Sequence, residues 1–131
     1  MKRVLYLDDE QPLVFLVSRM LEHLGHPVVG FTNAAEALQA YKACPGEFGL
    51  VLTDMSMPGM SGLEFAQQIL AIDPKATVVI ATGCEDPNWA EHARAAGVRD
   101  VIEKPGTIAA MAKVLNRLLS GDEADQRGEQ R

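Results

Sequence analysis

The sequence predicts an α/β domain, a doubly wound five-stranded parallel sheet with helices on both faces. Three observations lead there. Five short apolar runs rich in Val, Ile, Leu and aromatics alternate with segments of helical period. The runs are near-continuously apolar, as strands covered on both sides must be, and the segments between them have the length of right-handed crossovers. At 131 residues, 47% hydrophobic and 23% charged, the chain has the size and composition of one globular domain able to bury its own core.

Taken in order, the first strand covers Arg3 to Leu7. The helix after it places Leu13, Leu16, Val17, Met20, Leu21 and Leu24 on one apolar stripe. A second strand, Val28 to Phe31, leads to a helix marked by Ala34, Ala37, Leu38 and Tyr41. The third strand runs from Phe48 to Thr53. Its helix opens at Ser61, with Glu64 three residues on to form a reciprocal capping box, and continues through Leu63, Ala66 and Leu70. The fourth strand is Thr77 to Ala81. Asp86-Pro87 then supplies an N-cap and a first-turn proline, and Gly97 a stop, for the helix with the weakest pattern. The fifth strand is Val98 to Ile102, and the last helix runs from about Thr107 through Ile108, Met111, Leu115 and Leu118. The domain thus spans residues 1–120, and the polar stretch 121–131 reads as a disordered tail or the stub of a linker.

Charge and composition exclude several classes of function. Twelve Lys+Arg against eighteen Asp+Glu give a net charge of -6 with no local basic patch, which argues against nucleic acid or an anionic membrane as a partner. No apolar run approaches the roughly 18 residues of a membrane span, and strand-like sequence begins at once with no leader, so a cytoplasmic location is expected. Cys44 and Cys84 lack CxxC spacing and His neighbours at ligand intervals, so they read as reduced thiols. His23, His26 and His92 read as surface or capping residues. Trp89 reads either as buried or as an anchor for a partner.

In an open parallel sheet a ligand crevice lies outside the carboxyl ends of the strands, where the strand order reverses. The residues at those ends are Asp8, Asp9 and Glu10 after the first strand, Asp54 after the third, Thr82 after the fourth and Lys104-Pro105 after the fifth. Each acidic residue alone could be a turn former or helix cap. Together they bring carboxylates, a hydroxyl and an ammonium to one edge. Two carboxylates at about 4 Å repel by roughly 4 kcal/mol at an effective dielectric near 20, so the cluster calls for a cation. Lys104 supplies one charge. Mg2+ suits the remainder, because it takes oxygen ligands from few protein carboxylates and binds beside phosphate. Asp54 is followed by Met55-Ser56-Met57-Pro58-Gly59, a loop that leaves its carboxylate room for an incoming group. Such a carboxylate can act as a nucleophile and form an aspartyl-phosphate when a metal and a positive side chain neutralise the transferring phosphoryl oxygens.

The pieces Tyr6-Leu7-Asp8-Asp9-Glu10, Leu52-Thr53-Asp54-Met55-Ser56-Met57-Pro58-Gly59-Met60-Ser61-Gly62, Ala81-Thr82-Gly83 and Glu103-Lys104-Pro105 stand in an order and spacing that resembles the receiver domains of two-component response regulators, the CheY-like family, over about residues 2–120. The resemblance implies a flavodoxin-like sheet in the order 2-1-3-4-5. It implies that Asp54 accepts a phosphoryl group from a phosphohistidine on a histidine kinase or histidine phosphotransfer protein, in a two-component system or phosphorelay, and signals to an output protein the sequence does not identify. It assigns Mg2+ to Asp8, Asp9, Asp54 and the Ser56 backbone carbonyl, gives Thr82 and Lys104 each a phosphoryl oxygen, and makes the Lys104-Pro105 bond cis. Ser56 and Cys84 fall where the family varies the lifetime of the phosphoryl group. The implied chemistry is self-phosphorylation from a donor and slow autodephosphorylation, with no other enzymatic activity. Two positions depart from the family pattern: Val101 stands where an aromatic ring usually rotates inward, and Gly106 where Phe is frequent. The chain would be a stand-alone regulator or a module of a longer protein, such as a hybrid kinase.

Three other functions fit less well. A small Mg2+-dependent phosphatase commonly has a second Asp two residues after the nucleophile, where this chain has Ser56. A flavin binder needs a phosphate-cradling first loop, and Asp8-Asp9-Glu10-Gln11-Pro12 would repel the phosphate. A pseudo-receiver that binds a partner without phosphorylation would not need this residue set, although Val101 is compatible with it.

Overall fold

The structure is a computed structural model and describes residues 2–83, 87–104 and 107–119. In chain order its elements are β1 (Arg3–Leu7), α1 (Gln11–His23), β2 (Val28–Phe31), α2 (Ala34–Ala43), a single 3-10 turn (Pro45–Glu47), β3 (Phe48–Asp54), α3 (Gly62–Ile72), β4 (Val78–Thr82), α4 (Pro87–Ala95), β5 (Asp100–Glu103) and α5 (Ile108–Leu119). The strands pair in parallel in the order β2-β1-β3-β4-β5, the doubly wound sheet that the sequence predicts.

Alternation along the three central strands sorts side chains between two cores, because successive residues of a strand point to opposite faces. Leu5, Leu7, Val51, Val78 and Ile80 meet α2, α3 and α4 through Leu38, Tyr41, Phe65, Ile69 and Ala93. Val4, Tyr6, Leu50, Leu52, Val79 and Ala81 meet α1 and α5 through Val14, Val17, Leu21, Met111 and Leu115. Both faces of β1, β3 and β4 are therefore buried, which accounts for their unbroken apolar sequence. The edge strands β2 and β5 are only partly covered.

Local chemistry fixes the helix starts and one stop. Asn33 caps α2 by accepting the Glu36 amide hydrogen at 3.1 Å. At α3 the capping box is closed on both sides, Ser61 Oγ accepting from the Glu64 amide at 3.1 Å and Glu64 Oε1 from the Ser61 amide at 2.9 Å. Gly97 turns the chain out of α4 at φ 109°, in the left-handed region where a residue without Cβ carries no penalty.

Four sequence expectations are corrected. On α1 the buried residues are Val14, Val17 and Leu21, while Leu16 and Leu24 are exposed, so the stripe is turned toward Val14. Apolar residues lie on both arcs of that helix, and its packing between β2 and α5 decides which arc is covered. Val98 precedes β5 instead of opening it; its amide donates to the Ala93 carbonyl and closes the α4 turn, although its side chain joins the core. β4 is shifted by one residue, starting at Val78 instead of Thr77 and ending at Thr82, and β5 covers Asp100–Glu103, ending one residue later than expected. β3 likewise includes Asp54, whose register partner is Ala81. Met1, residues 84–86 and 105–106, and Ser120 with the stretch 121–131 lie outside the described residues, and with them the expectations for Cys84, Asp86, the Lys104-Pro105 bond, Gly106 and the tail. The expectation for Trp89 falls outside the described side chains. Among the described residues, no helix is long and apolar enough to cross a membrane.

Candidate functional site

Parallel register brings the strand ends to one edge. Leu7 lies opposite Thr53, so Asp8 follows beside Asp54; Asp54 lies opposite Ala81, and Thr82 opposite Glu103, so Lys104 follows beside Thr82. Backbone bonds tie these ends together: the Met55 amide donates to the Ala81 carbonyl at 2.9 Å and the Lys104 amide to the Thr82 carbonyl at 2.7 Å. At the other end of the cluster the Asp8 amide donates to the Phe31 carbonyl, and Asp8 Oδ1 accepts the Glu10 amide at 3.0 Å, turning the chain from β1 into α1.

Asp8, Asp9 and Asp54 each present a carboxylate oxygen within 4.8 Å of the others. Lys104 Nζ reaches into this group, 2.8 Å from Asp8, 3.4 Å from Asp54 Oδ1 and 3.7 Å from Glu10. The Asp8 side chain is 1% exposed and that of Asp54 10%, whereas Glu10 is 65% exposed, so only the first two contacts lie in a low-dielectric setting. One ammonium thus serves three carboxylates, with Asp9 a fourth beside them, and negative charge is left over. The all-oxygen donor set and the surplus charge fit a hard divalent cation.

The electrostatics follow from this crowding. Burial, reinforced by the charge of Asp8, pushes the Asp54 carboxyl above its ordinary value, against the opposing pull of Lys104 and the Met55 amide. Burial alone would lower Lys104; its hydrogen bond and charge pairing with Asp8, then the charges of Asp54 and Glu10, outweigh that and hold it above the ordinary lysine value. Tyr6, one pleat before Asp8 on the same face, is pushed far up by burial and by Asp8, Asp54 and Glu10, so its hydroxyl keeps its proton.

The sequence-predicted residues Asp8, Asp9, Asp54, Thr82 and Lys104 therefore stand on one edge. Ser56 lies exposed in the loop two residues beyond Asp54, and Thr82 is buried at the end of β4. Val101 is partly buried and packs on the α2–α3–α4 core. Two contributors escape a sequence reading. Gly62, first residue of α3, is buried against β3, and a Cβ there would lie 2.3 Å from the Asp54 carbonyl and 2.9 Å from the Met55 Cα. Its amide also donates to the Met55 carbonyl at 2.8 Å, so the absence of a side chain sets how closely α3 clamps the residue that carries the central carboxylate. The second is Tyr6, whose position in an apolar strand reads as core. For Gly62, the signal available in the sequence was a glycine directly after the capping serine, where Gly has no intrinsic advantage.

An open doubly wound sheet with a carboxylate trio and a lysine at its switch point belongs to the class of α/β domains that bind a ligand in that crevice. Residues 4–116 match the family model of the response regulator receiver domain. Over 118 residues the chain is 30% identical to chemotaxis protein CheY of Thermotoga maritima, covering 89% of this chain and 97% of that protein. It is 38% identical over 103 residues to the C4-dicarboxylate transport transcriptional regulatory protein DctD of Rhizobium meliloti, spanning 78% of this chain but 22% of that protein. A receiver domain crystal structure from Clostridium thermocellum matches with a TM-score of 0.79 at 28% identity, covering 92% of this chain and 95% of that one. The chain belongs to the response regulator receiver domain family and acts in two-component signal transduction.

Proposed function

We propose that Asp54 is the phosphoacceptor of this receiver, taking a phosphoryl group from a phosphohistidine on a histidine kinase or histidine phosphotransfer protein. The observation that carries the reading is the convergence of Asp8, Asp9 and Asp54 oxygens within 4.8 Å with Lys104 Nζ 3.4 Å from Asp54. An Asp54 oxygen attacks phosphorus, the phosphorus–nitrogen bond breaks, and its electron pair stays with the imidazole of the donor. Lys104 offers its ammonium to one phosphoryl oxygen and the Thr82 hydroxyl donates to another. Hydrolysis then restores the site: water attacks phosphorus, and Asp54 leaves as the carboxylate with release of inorganic phosphate. These two transfers are the only chemistry proposed.

Asp8, Asp9, Asp54 and the Ser56 carbonyl would hold Mg2+. When bound, it offsets the charge of the carboxylates and of the transferring phosphoryl oxygens. The elevated Asp54 carboxyl has a direct consequence, since the nucleophile must be ionised: labelling weakens as the pH falls. Val101 gives no ring to rotate, so the phosphorylated state is read through Thr82 and the start of α4 with a smaller change on the β5 side. The receiver works on the cytoplasmic side, and its output partner is a protein, not nucleic acid.

Intact-mass measurement after incubation with acetyl phosphate and Mg2+ tests the assignment. One phosphoryl group is expected, prevented by EDTA and abolished in Asp54→Asn; unchanged labelling of that variant would overturn it.

A further inference from the structure

We propose that the Tyr6 hydroxyl is a positioning donor for Asp8, taking hold of that carboxylate when Lys104 turns to the phosphoryl group. The inference rests on the reading of Asp8 as a metal-holding carboxylate and Asp54 as the phosphoacceptor. Tyr6 is 1% exposed, and its hydroxyl has no hydrogen-bond partner among the described residues. Asp8 Oδ2 is buried as well, and the Lys104 ammonium holds it at 2.8 Å. The two groups belong to residues two apart on the same side of the sheet, so the phenol lies beneath the acidic cluster. The ring belongs to the core cluster of Leu52, Ala81, Val17 and Met111, side chains with no strong acceptor to offer. A phenylalanine would fill the same space with no unpaired group. What the hydroxyl adds is a donor under Asp8.

The arrangement of Lys104 indicates when that donor is needed. In this structure its ammonium is divided among Asp8, Asp54 and Glu10, with the shortest contact, 2.8 Å, to Asp8. A phosphoryl group on Asp54 competes for the same ammonium with stronger and more numerous acceptor oxygens. As Lys104 moves to it, Asp8 loses its partner and is free to swing out of the geometry in which it holds a cation. The Tyr6 O–H, fixed by the packing of its ring, donates to Asp8 Oδ2 and keeps that geometry. Tyr6 touches neither metal nor phosphoryl group; it acts through Asp8.

Tyr6→Phe preserves the ring and removes the donor. With beryllofluoride present to draw Lys104 away from Asp8, calorimetric titration with Mg2+ should show binding weakened about tenfold relative to wild type, the low end of what loss of an outer hydrogen bond to a metal-holding carboxylate costs. The metal-free melting temperature should be unchanged or raised, because no hydrogen bond is lost in that state. A lower melting temperature with unaltered Mg2+ affinity would overturn the proposal and leave Tyr6 a core residue. A measurement on wild type gives an independent check. The chain has 2 tyrosines, and Tyr41 already donates to Asp73. With tyrosine labelled by 13C at Cζ, addition of beryllofluoride and Mg2+ should shift the Tyr6 resonance and leave that of Tyr41 in place; a static Tyr6 signal would overturn the proposal. Wild type that neither binds Mg2+ nor gains a phosphoryl mass would overturn the functional reading as well. Wild type that does both beside a Tyr6→Phe variant of equal affinity would overturn this inference alone.

Discussion

The two tyrosines mark two ends of the sheet built to opposite rules. Tyr41 and Tyr6 are equally buried, each 1% exposed. Tyr41 lies at the amino end, stacked on Phe48 with ring centroids 5.7 Å apart, its hydroxyl donating to Asp73 at 3.0 Å. At that end of the sheet polar groups are paired on both faces: the Asp73 carboxylate also accepts from the Lys75 amide, and His26 bonds Asn116 at 2.7 Å between the α1–β2 turn and α5. At the carboxyl end the Tyr6 hydroxyl has no hydrogen-bond partner among the described residues, and one ammonium serves three carboxylates. Buried polar groups are ordinarily satisfied, and exceptions gather where a site awaits a ligand. The amino end is finished without help, whereas the carboxyl end is completed by what binds there.

The largest effect that would break this contrast comes from closing the gap between α3 and β3. In Gly62→Ala the new Cβ meets backbone at Asp54 and Met55, which cannot yield as a flexible side-chain tip would. A loss of about 3 kcal/mol is expected, at the upper end of overpacking costs, read as a lower denaturant midpoint. Labelling by acetyl phosphate should slow at least about tenfold, since a shift of order 1 Å in a reacting group costs up to ~100-fold. Normal labelling with normal stability would mean that α3 does not set the position of Asp54.

Tyr41→Phe tests the other end and should cost less, about 1.5 kcal/mol for a hydrogen bond to a charged group. Burial, then the bond to and charge of Asp73, push the Tyr41 phenol from 10.0 up to about 12. A raised value in the folded state means that the stabilisation is complete below the unfolded value and fades as pH rises between the two. The wild-type advantage should therefore hold at neutral pH and shrink between pH 10 and 12. Equal stability of wild type and variant at pH 7 would show that the amino-end tyrosine is no better satisfied than Tyr6.

Much of this plan was legible in the sequence, for a physical reason. Strand runs, the Ser61–Glu64 capping box and the charged residues closing each strand are local signals, and parallel topology turns them into one site without further information. What stayed hidden depends on approach between elements. Leu16 and Val14 are both apolar on the same helix, and only the placement of α5 and β2 decides that Val14 is the buried one. Val98 has strand composition, yet its amide closes a turn. Lys104 sits at the expected edge, but its shortest contact is with Asp8 and not Asp54, a choice set by distances of less than an ångström. Gly62 carries only the faint mark of a glycine directly after a capping serine, and Tyr6 none, because one acts by lacking a side chain and the other by the tip of an otherwise apolar one.

The smallest expected effect reverses sign and sharpens the contrast most. Removing a buried charge from the carboxyl end should stabilise the metal-free protein, whereas removing the Tyr41 hydroxyl at the amino end destabilises it. Asp54 is held above its ordinary value of 3.8 chiefly by burial and then by Asp8, so its ionised form is less favourable folded than unfolded. The folded state consequently binds the proton more tightly. The contribution of Asp54 to stability is complete below pH 3.8 and is lost as pH rises through its elevated folded value, leaving a net penalty at neutral pH. Asp54→Asn removes that penalty and should gain about 1 kcal/mol at pH 7, the low end of what replacing an incompletely compensated buried charge yields. The gain should shrink as the pH falls toward 3.8, where wild type itself becomes neutral at this position. Mg2+ should erase the advantage from the other side, because binding only to the folded wild type stabilises it by about 2.7 kcal/mol at a hundredfold excess over Kd. Melting curves of both proteins across this pH range, with and without Mg2+, decide the matter. An Asp54→Asn variant less stable than metal-free wild type at pH 7 would show that Lys104 already satisfies the carboxyl end, and the difference between the two ends of the sheet would then vanish.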